Sequence, residues 1–200
     1  MMTRRPLKIA MTVCAMLALA RFALPGEPYP ISRARADALK IEMKSRVVRI
    51  LDRPLVIAGG KPVRFLSDVI ANQPVLLSFT FTGCLQLCPP SDIVMEGVAQ
   101  KLEQAGRRDV RLVTLTLDPL ADTPDRLFAE RASKMHPDRL FLSGEPNHVW
   151  AVLDGLGIQA GPNQDHNIEF LLIGAGGKRV DGIPGLPDPD TLYAALTAAK

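Results

Sequence analysis

The stretch VLLSFTFTGCLQLCPPSD, residues 75–92, decides the fold. Its first part, up to Phe81, is apolar and rich in strand-forming residues. The two prolines near its end suit the first turn of a helix, where a missing N–H does no harm. Apolar residues then recur at helical spacing until Gly106. The stretch therefore predicts a central strand, a turn that carries Cys84 and Cys88, and a helix.

Outward from this unit, strand and helix patterns alternate. The predicted elements are a hairpin of residues 54–57 and 63–65, a helical turn at 67–71, a strand at 110–117, a helix at 124–135, a strand at 140–142, a helix at 147–156, a strand at 168–173, its antiparallel partner at 178–180, and a last helix from Asp190. Alternation predicts parallel pairing, whereas the later hairpin predicts antiparallel pairing. The expected class is α/β: a thioredoxin-like fold with a central mixed sheet flanked by helices.

Composition supports one domain and argues against nucleic-acid binding. The chain has 200 residues, of which 47% are hydrophobic, enough for a packed core. The formal charge of +3 equals the contribution of Arg4, Arg5 and Lys8, which lie together near the N-terminus. Without them the chain is close to neutral, and it lacks the basic patch that phosphate binding requires.

The N-terminus has the pattern of a targeting segment. A charged opening precedes an apolar run from Ile9 to Ala20, which is shorter than the roughly 20 residues that span a bilayer. A cleaved signal peptide and an uncleaved membrane anchor both remain open, and the paired arginines resemble a twin-arginine export signal. The predicted organisation is a leader at residues 1–24, a linker at 25–45 and one domain at 46–200. The expected location is extracytoplasmic, on the periplasmic side of the inner membrane. The polar stretch from Ser32 to Arg49 is expected to be a tether or a loose helix.

The cysteines fall into two groups. Cys14 lies inside the leader, and Cys84 and Cys88 are the only others. In an exported chain such a pair is a disulfide, a metal site or both in turn, unless the two are merely small buried residues. A helix N-terminus favours thiolate, and one helical turn would bring both sulfurs to the same face. Dithiol oxidoreductases of the thioredoxin type usually separate the cysteines by two residues rather than three.

His166 is the candidate for a third ligand. It lies in a polar loop, residues 162–167, that leads into a predicted strand, and loop ends of this fold gather near the cysteine turn. His136 and His148 fit structural or solvated positions at helix ends, and Met95 fits the core. Two thiolates and one imidazole form a soft set of three that suits copper, whereas structural zinc nearly always has four protein ligands. Asp165, next to His166, could orient the imidazole ring.

Three segments resemble the Sco/SenC family: FTGCLQLCP at residues 81–89, TLDPLADTP at 116–124 and DHN at 165–167. The resemblance spans residues 47–199. It implies a thioredoxin-like fold, a copper site made by Cys84, Cys88 and His166, and a role in delivering copper to the dinuclear copper centre of cytochrome c oxidase or in reducing that centre. The implied partner is the copper-bearing oxidase subunit, or another copper or thiol protein, with a possible membrane tether at the N-terminus.

Members of that family often have proline after the first cysteine and a polar or acidic residue in the triplet, where this chain has Leu85, Gln86 and Leu87. This difference affects the surface that a partner would touch. The segment at 116–124 is interpreted as loop chemistry, in which Asp122 or Thr123 caps the following helix.

Two enzymatic alternatives stand beside copper handling. In an extracytoplasmic thiol:disulfide oxidoreductase without a metal, Cys84 would attack a substrate disulfide and Cys88 would resolve the intermediate, so the two cysteines would form a catalytic redox pair. Peroxide reduction would need one activated cysteine with a base beside it, and the neighbouring sequence offers none. The sequence alone therefore leaves open whether the protein is an enzyme or a copper chaperone with some reductase activity.

Overall fold

The computed structural model describes residues 37, 40–161 and 168–197. The strands are β1 (Lys44–Arg46), β2 (Pro54–Ile57), β3 (Lys61–Arg64), β4 (Val75–Thr80), β5 (Arg111–Thr116), β6 (Arg139–Ser143), β7 (Glu169–Ile173) and β8 (Val180–Pro184). The helices are α1 (Cys88–Gln104), α2 (Pro124–Glu130), α3 (Pro146–Leu156) and α4 (Pro189–Thr197). A π-helical turn spans Phe65–Ile70, and short 3-10 turns span Ala132–Lys134 and Ala175–Gly177.

These strands form one mixed sheet in the order β1-β8-β7-β4-β5-β6-β2-β3. The pairs β4–β5 and β5–β6 are parallel, and the other pairs are antiparallel. The carboxyl ends of β4 and β5 therefore meet at one edge of the sheet, where β7 begins and β8 ends. The predicted α/β class with a central mixed sheet is confirmed, as are the predicted hairpin and the strand–turn–helix unit of residues 75–92.

Apolar cores cover both faces of the sheet. On one face α3 and the π-helical turn pack against alternate residues of the central strands, and on the other face α1 and α4 pack against the remaining residues. Strand β4 is buried along its whole length, with Leu77 in the first core and Leu76 in the second. This two-sided burial explains why β4 is an almost continuous apolar run rather than an alternating one.

Three elements differ from the sequence predictions. The helix predicted at 124–135 ends at Glu130, because Arg131 leaves the helical region, with φ −131° and ψ −66°, and its side chain pairs with Asp92 of α1. Strand β8 begins at Val180 rather than at residue 178, since a 3-10 turn and a helical residue at Lys178 lengthen the connection.

The third difference is β1, which lies across the predicted boundary at residue 46 within a stretch expected to be a tether or a loose helix. It pairs with β8, and polar side chains hold this pairing: Ser45 donates a hydrogen bond to Asp181 at 2.6 Å, and Arg46 pairs with Glu169.

Within the described residues, no helix has the length and apolar character needed to cross a membrane. The predicted leader, residues 1–24, lies outside the described residues, as does most of the linker.

Asp52 fixes the start of the π-helical turn. Its carboxylate accepts hydrogen bonds from the backbone N–H groups of Leu66 and Ser67, each at 3.0 Å, and from the guanidinium of Arg64 at 2.8 Å. Burial alone would raise the pKa of this carboxyl, but the donors outweigh burial and lower the pKa from 3.8 to about 2. The ionised carboxylate therefore stabilises the folded state.

This lowered pKa predicts a pH-dependent stability. A carboxyl whose pKa falls on folding stabilises the folded state above its unfolded pKa and loses that contribution as the pH falls toward its folded pKa. We expect Asp52→Asn to lower the free energy of unfolding at pH 7, and the difference from wild type to shrink between pH 3.8 and about 2. Urea denaturation at several pH values measures this, with exposed Asp125→Asn as the control. A difference that stayed constant down to pH 2 would contradict the prediction.

Candidate metal centre

The two cysteines lie where β4 passes into α1. Gly83 takes a positive φ of 82°, and the N–H of Cys84 donates to the carbonyl of Phe81 at 3.2 Å, which closes a tight turn. Cys84 and Cys88 form a disulfide, with their Cα atoms 5.7 Å apart. The turn therefore holds two sulfur atoms together at the carboxyl edge of the sheet, as the sequence predicted for this pair.

The start of α1 directs a backbone donor at the first cysteine. Cys88 begins the helix and is followed by Pro89 and Pro90, which have no N–H. The N–H of Cys88 donates to the sulfur of Cys84 at 3.1 Å. A sulfur atom at a helix N-terminus, in contact with an N–H group, is stabilised as a thiolate once the disulfide is reduced.

The sulfurs are buried, but the residues between them are not. Cys84 is 3% exposed and Cys88 is 2% exposed, and both belong to the core that includes Phe81. Leu85, by contrast, is 83% exposed. The buried disulfide therefore has an exposed apolar residue next to it in the chain.

A buried carboxylate is hydrogen-bonded to the cysteine turn. Asp122 has no exposed surface and accepts hydrogen bonds from the backbone N–H of Thr82, at 3.0 Å, and from the hydroxyl of that residue. It also accepts from the hydroxyl of Thr116 at the end of β5, at 2.6 Å, while its carbonyl accepts from Ser143 of β6. The helix cap predicted for Asp122 or Thr123 belongs to Thr123, whose hydroxyl accepts from the N–H of Arg126.

The contact between Asp122 and the turn was not predicted from the sequence. A usable signal exists: Thr82 follows the end of β4 and Asp122 follows the end of β5, and neighbouring parallel strands end at the same edge of a sheet. Polar residues directly beyond two such ends are expected to meet. The interpretation of residues 116–124 as the start of a helix did not include the contact between Asp122 and Thr82.

A network of acids and arginines anchors α1 beyond the disulfide. Asp92 and Glu96 lie one and two turns after Cys88, and the guanidinium of fully buried Arg139 donates to them at 3.0 and 2.5 Å. Arg131 also pairs with Asp92. The sequence offered a signal in the spacing of the two acids on an otherwise apolar helix face, but it did not identify their partners.

His166, the predicted third ligand, lies outside the described residues, together with Asp165 and Asn167. The residues on either side of that loop are described. The N–H of Gly161 donates to the carbonyl of Leu117 at 2.7 Å, and the N–H of Leu117 donates to Thr80 at the end of β4, at 2.7 Å. After the loop, the carbonyl of Ile168 accepts from Gly185 at 2.9 Å. Both ends of the loop therefore lie at the sheet edge that carries the cysteine turn.

The other residues considered from the sequence occupy structural positions. The ring of His136 contacts Glu103 at 3.1 Å and accepts from the N–H of Asp138, and Met95 is fully buried in the core of the α1 face. His148 is half-buried in the first turn of α3. Across residues 37, 40–161 and 168–197, no group of three or more histidine, cysteine, aspartate or glutamate residues is placed to hold a metal ion.

A groove lies beside the cysteine turn. It has a volume of about 640 Å³ and is lined by apolar Leu87, Ile168 and Leu186 and by the charged side chains of Lys44, Arg46 and Glu169. Arg46 donates to both carboxylate oxygens of Glu169, at 2.5 and 2.6 Å. The groove thus joins the residue before Cys88 to the strand that follows the His166 loop.

The chain is similar to known proteins in both sequence and fold. A model of the SCO1/SenC family matches residues 55–200. The SCO2-like protein of Rickettsia felis is 32% identical over 124 residues, which is 57% of this chain and 60% of that protein. The chain spans 43–60% of the length of the Rickettsia relatives that it matches.

Two solved structures share the fold. The copper-bound ScoI of Arabidopsis thaliana is 25% identical, with a TM-score of 0.60 over 70% of this chain and 90% of that one. BsSco, described as a member of the Sco family of cytochrome c oxidase assembly proteins with a disulfide switch, is 24% identical, with a TM-score of 0.63 over 78% of this chain and 95% of that one. The family match over residues 55–200, most of the chain, establishes that the chain belongs to the SCO1/SenC family.

Proposed function

We propose that this protein binds copper through Cys84, Cys88 and His166 and serves the assembly of the dinuclear copper centre of cytochrome c oxidase, as a metallochaperone, a thiol reductant or both. The observation that carries the proposal is the cysteine pair, held 5.7 Å apart between Cα atoms at the N-terminus of α1. The ends of the His166 loop lie at the same sheet edge, which supports a third donor there. A copper-bound relative of the same fold adds support.

Copper would be cargo in this scheme, and the donor set suits it. Two thiolate sulfurs and one imidazole nitrogen are soft to intermediate donors that favour Cu(I). The backbone N–H of Cys88 and the helix N-terminus would stabilise the thiolate of Cys84 before the metal arrives. Burial of both cysteines would keep water away from the bound ion.

The disulfide and the copper complex would be alternative states of one site. Reduction adds two electrons and two protons to the Cys84–Cys88 bond and yields two thiols, and Cu(I) then displaces the thiol protons. In the oxidised state both sulfurs are bonded to each other and are not available as thiolate ligands. The redox state of the pair would therefore decide whether the protein can carry copper.

The proposed partner is the copper-bearing subunit of the oxidase, or another copper or thiol protein. Leu85 and Leu120 support a protein partner, since they are 83% and 69% exposed and both follow strands that end at the cysteine edge. The proposed location is outside the cytoplasm, on the periplasmic side of the inner membrane, with residues 1–24 as a signal peptide or anchor.

The closed disulfide favours a second candidate function, an extracytoplasmic thiol:disulfide oxidoreductase without a metal role. Cys84 would attack a substrate disulfide, and Cys88 would release the reduced product by attacking the mixed disulfide. This chemistry needs the two sulfurs and no imidazole. The two candidate functions therefore differ in whether His166 is required.

The decisive change is His166→Ala. Outer-shell partners of a metal typically contribute 10- to 100-fold in affinity, so we expect the loss of a direct ligand to weaken Cu(I) binding by more than about 100-fold. The disulfide should still form and open, because its two sulfurs remain. Competition with a Cu(I) chelator at fixed pH, beside thiol titration of the same samples, measures both properties.

His148→Ala is the matched control, since it removes an imidazole from α3 and should leave Cu(I) affinity unchanged. Equal Cu(I) affinity in wild type and His166→Ala would reject the three-ligand site. The oxidoreductase would then be the better assignment.

A further inference from the structure

Asp122 is a buried acid whose hydrogen-bond partners are neutral groups. It has no exposed surface, and its carboxylate accepts from the N–H of Thr82, from the hydroxyl of Thr82 and from the hydroxyl of Thr116. Burying a carboxylate is costly even when it is well hydrogen-bonded. Packing alone therefore does not explain why a carboxylate occupies this buried position.

The contacts of Asp122 converge on the cysteine turn. Thr82 lies two residues before Cys84 and inside the turn that the bond from Cys84 N–H to Phe81 closes. Thr116 is the last residue of β5, next to β4 in the sheet, and Ser143 is the last residue of β6. Asp122 therefore connects the turn to the ends of two neighbouring strands.

Helix α1 is held separately, by Arg139 and the acids that follow Cys88. Cys88 is thus part of α1, whereas Cys84 lies in the turn that Asp122 contacts through Thr82. The distance between the two sulfurs depends on both supports.

We infer that Asp122 is a positioning residue for the cysteine pair: by holding Thr82 it keeps Cys84 within bonding reach of Cys88 and so favours the closed disulfide over the open dithiol. Two thiols held in the right geometry react as if at high effective concentration, and this advantage falls when one is released. The inference rests on the proposed function only in taking Cys84 and Cys88 as the reacting pair.

The test is the exchange equilibrium with glutathione, in which the disulfide and two glutathione thiols give the dithiol and one glutathione disulfide. For Asp122→Ala we expect the equilibrium constant to shift toward the dithiol by about 10-fold, a small part of the effective concentration that fixed geometry can give two reacting groups. Asp122→Asn retains an oxygen for the N–H of Thr82, so its constant should lie closer to the wild-type value. The unfolding midpoint of each variant is recorded beside the equilibrium constant.

Thr123→Ala is the matched control, because it removes the cap of α2 one residue away and leaves the turn untouched. Its equilibrium constant should match that of wild type even where its stability falls. If Asp122→Ala does not fold, Thr82→Val replaces it, since that change removes the hydroxyl contact alone and should shift the constant in the same direction.

Three results would overturn the inference. One is an unchanged constant in Asp122→Ala, or in Thr82→Val where that variant replaces it. Another is an equal shift in Thr123→Ala, which would indicate a general loss of structure. The third is an equal shift in Asp122→Asn and Asp122→Ala, which would indicate charge rather than position. The mixture contains no copper, so loss of the His166 ligand hypothesis would leave this result readable.

Discussion

Reduced Cys88→Ser is expected to lose high-affinity Cu(I) binding altogether. The change replaces a soft sulfur with a hard hydroxyl at the first residue of α1 and leaves one thiolate and one imidazole of the three proposed ligands. Because outer-shell changes already cost up to about 100-fold, loss of a thiolate ligand should exceed that factor. Competition with a Cu(I) chelator under reductant, without oxygen, measures the affinity.

Met95→Leu is the control for this prediction. It removes another sulfur from the same helix, at a fully buried position, and nearly conserves volume. Its Cu(I) affinity should equal that of wild type. Wild-type affinity in Cys88→Ser would show that copper binds elsewhere, and the proposed site would have to be abandoned.

The second large effect is expected from Arg139→Met. The guanidinium of Arg139 is fully buried and bonds Asp92, Glu96 and the hydroxyl of Thr114. Removing it leaves Glu96 without its cation and Asp92 with Arg131 alone, and breaking a buried ion pair in this way destabilises a protein by about 3–5 kcal/mol. Urea denaturation, with an unchanged slope against denaturant concentration, measures the loss.

An exposed pair provides the comparison for Arg139. Arg126 and Glu130 form an ion pair one turn apart on the surface of α2, and Arg126→Ala should change the free energy of unfolding far less. Replacing all four members of the network by apolar residues, Arg131 included, should restore much of the stability, since no buried charge would then lack its partner. A loss in Arg139→Met no larger than in Arg126→Ala would show that the network is not a support of α1.

The strand–turn–helix unit could be predicted because its signals are local. The apolar run of β4, the glycine at a positive φ and the prolines of α1 each act within a few residues, and the structure confirms the unit. The position of the cysteines at the carboxyl edge followed from that unit and from parallel pairing with β5.

The elements that were not predicted depend on distant residues. Strand β1 has no apolar pattern, and its partners Asp181 and Glu169 lie more than 120 residues away. The early end of α2 likewise depends on the pair between Arg131 and Asp92. Local propensity carries no information about such pairs.

The residues of the candidate site likewise fall into those that local sequence predicted and those that it did not. Cys84 and Cys88 could be predicted from spacing and resemblance, and the structure joins them. The supports of the site, Asp122 and Arg139, were not predicted, because each acts on a partner from another strand or helix and has a sequence signal only once the strand pairing is known. The role of His166 stays a prediction until its copper experiment is done.

The ring closed by Cys84 and Cys88 is very small, with a sequence separation of 4. A cross-link stabilises a fold mainly by restricting the unfolded chain, and this effect grows with the length of chain enclosed, to about 3 kcal/mol for 15 residues. For a ring this short the same relation gives about 2 kcal/mol, so opening it gives the unfolded chain less new conformational freedom than opening a longer ring would. The entropic contribution of this bond to the stability of the fold is therefore smaller than that of a disulfide that encloses a long loop. In the proposed redox role, the cysteines would thus open and close at a smaller cost in fold stability than a long-range cross-link would impose.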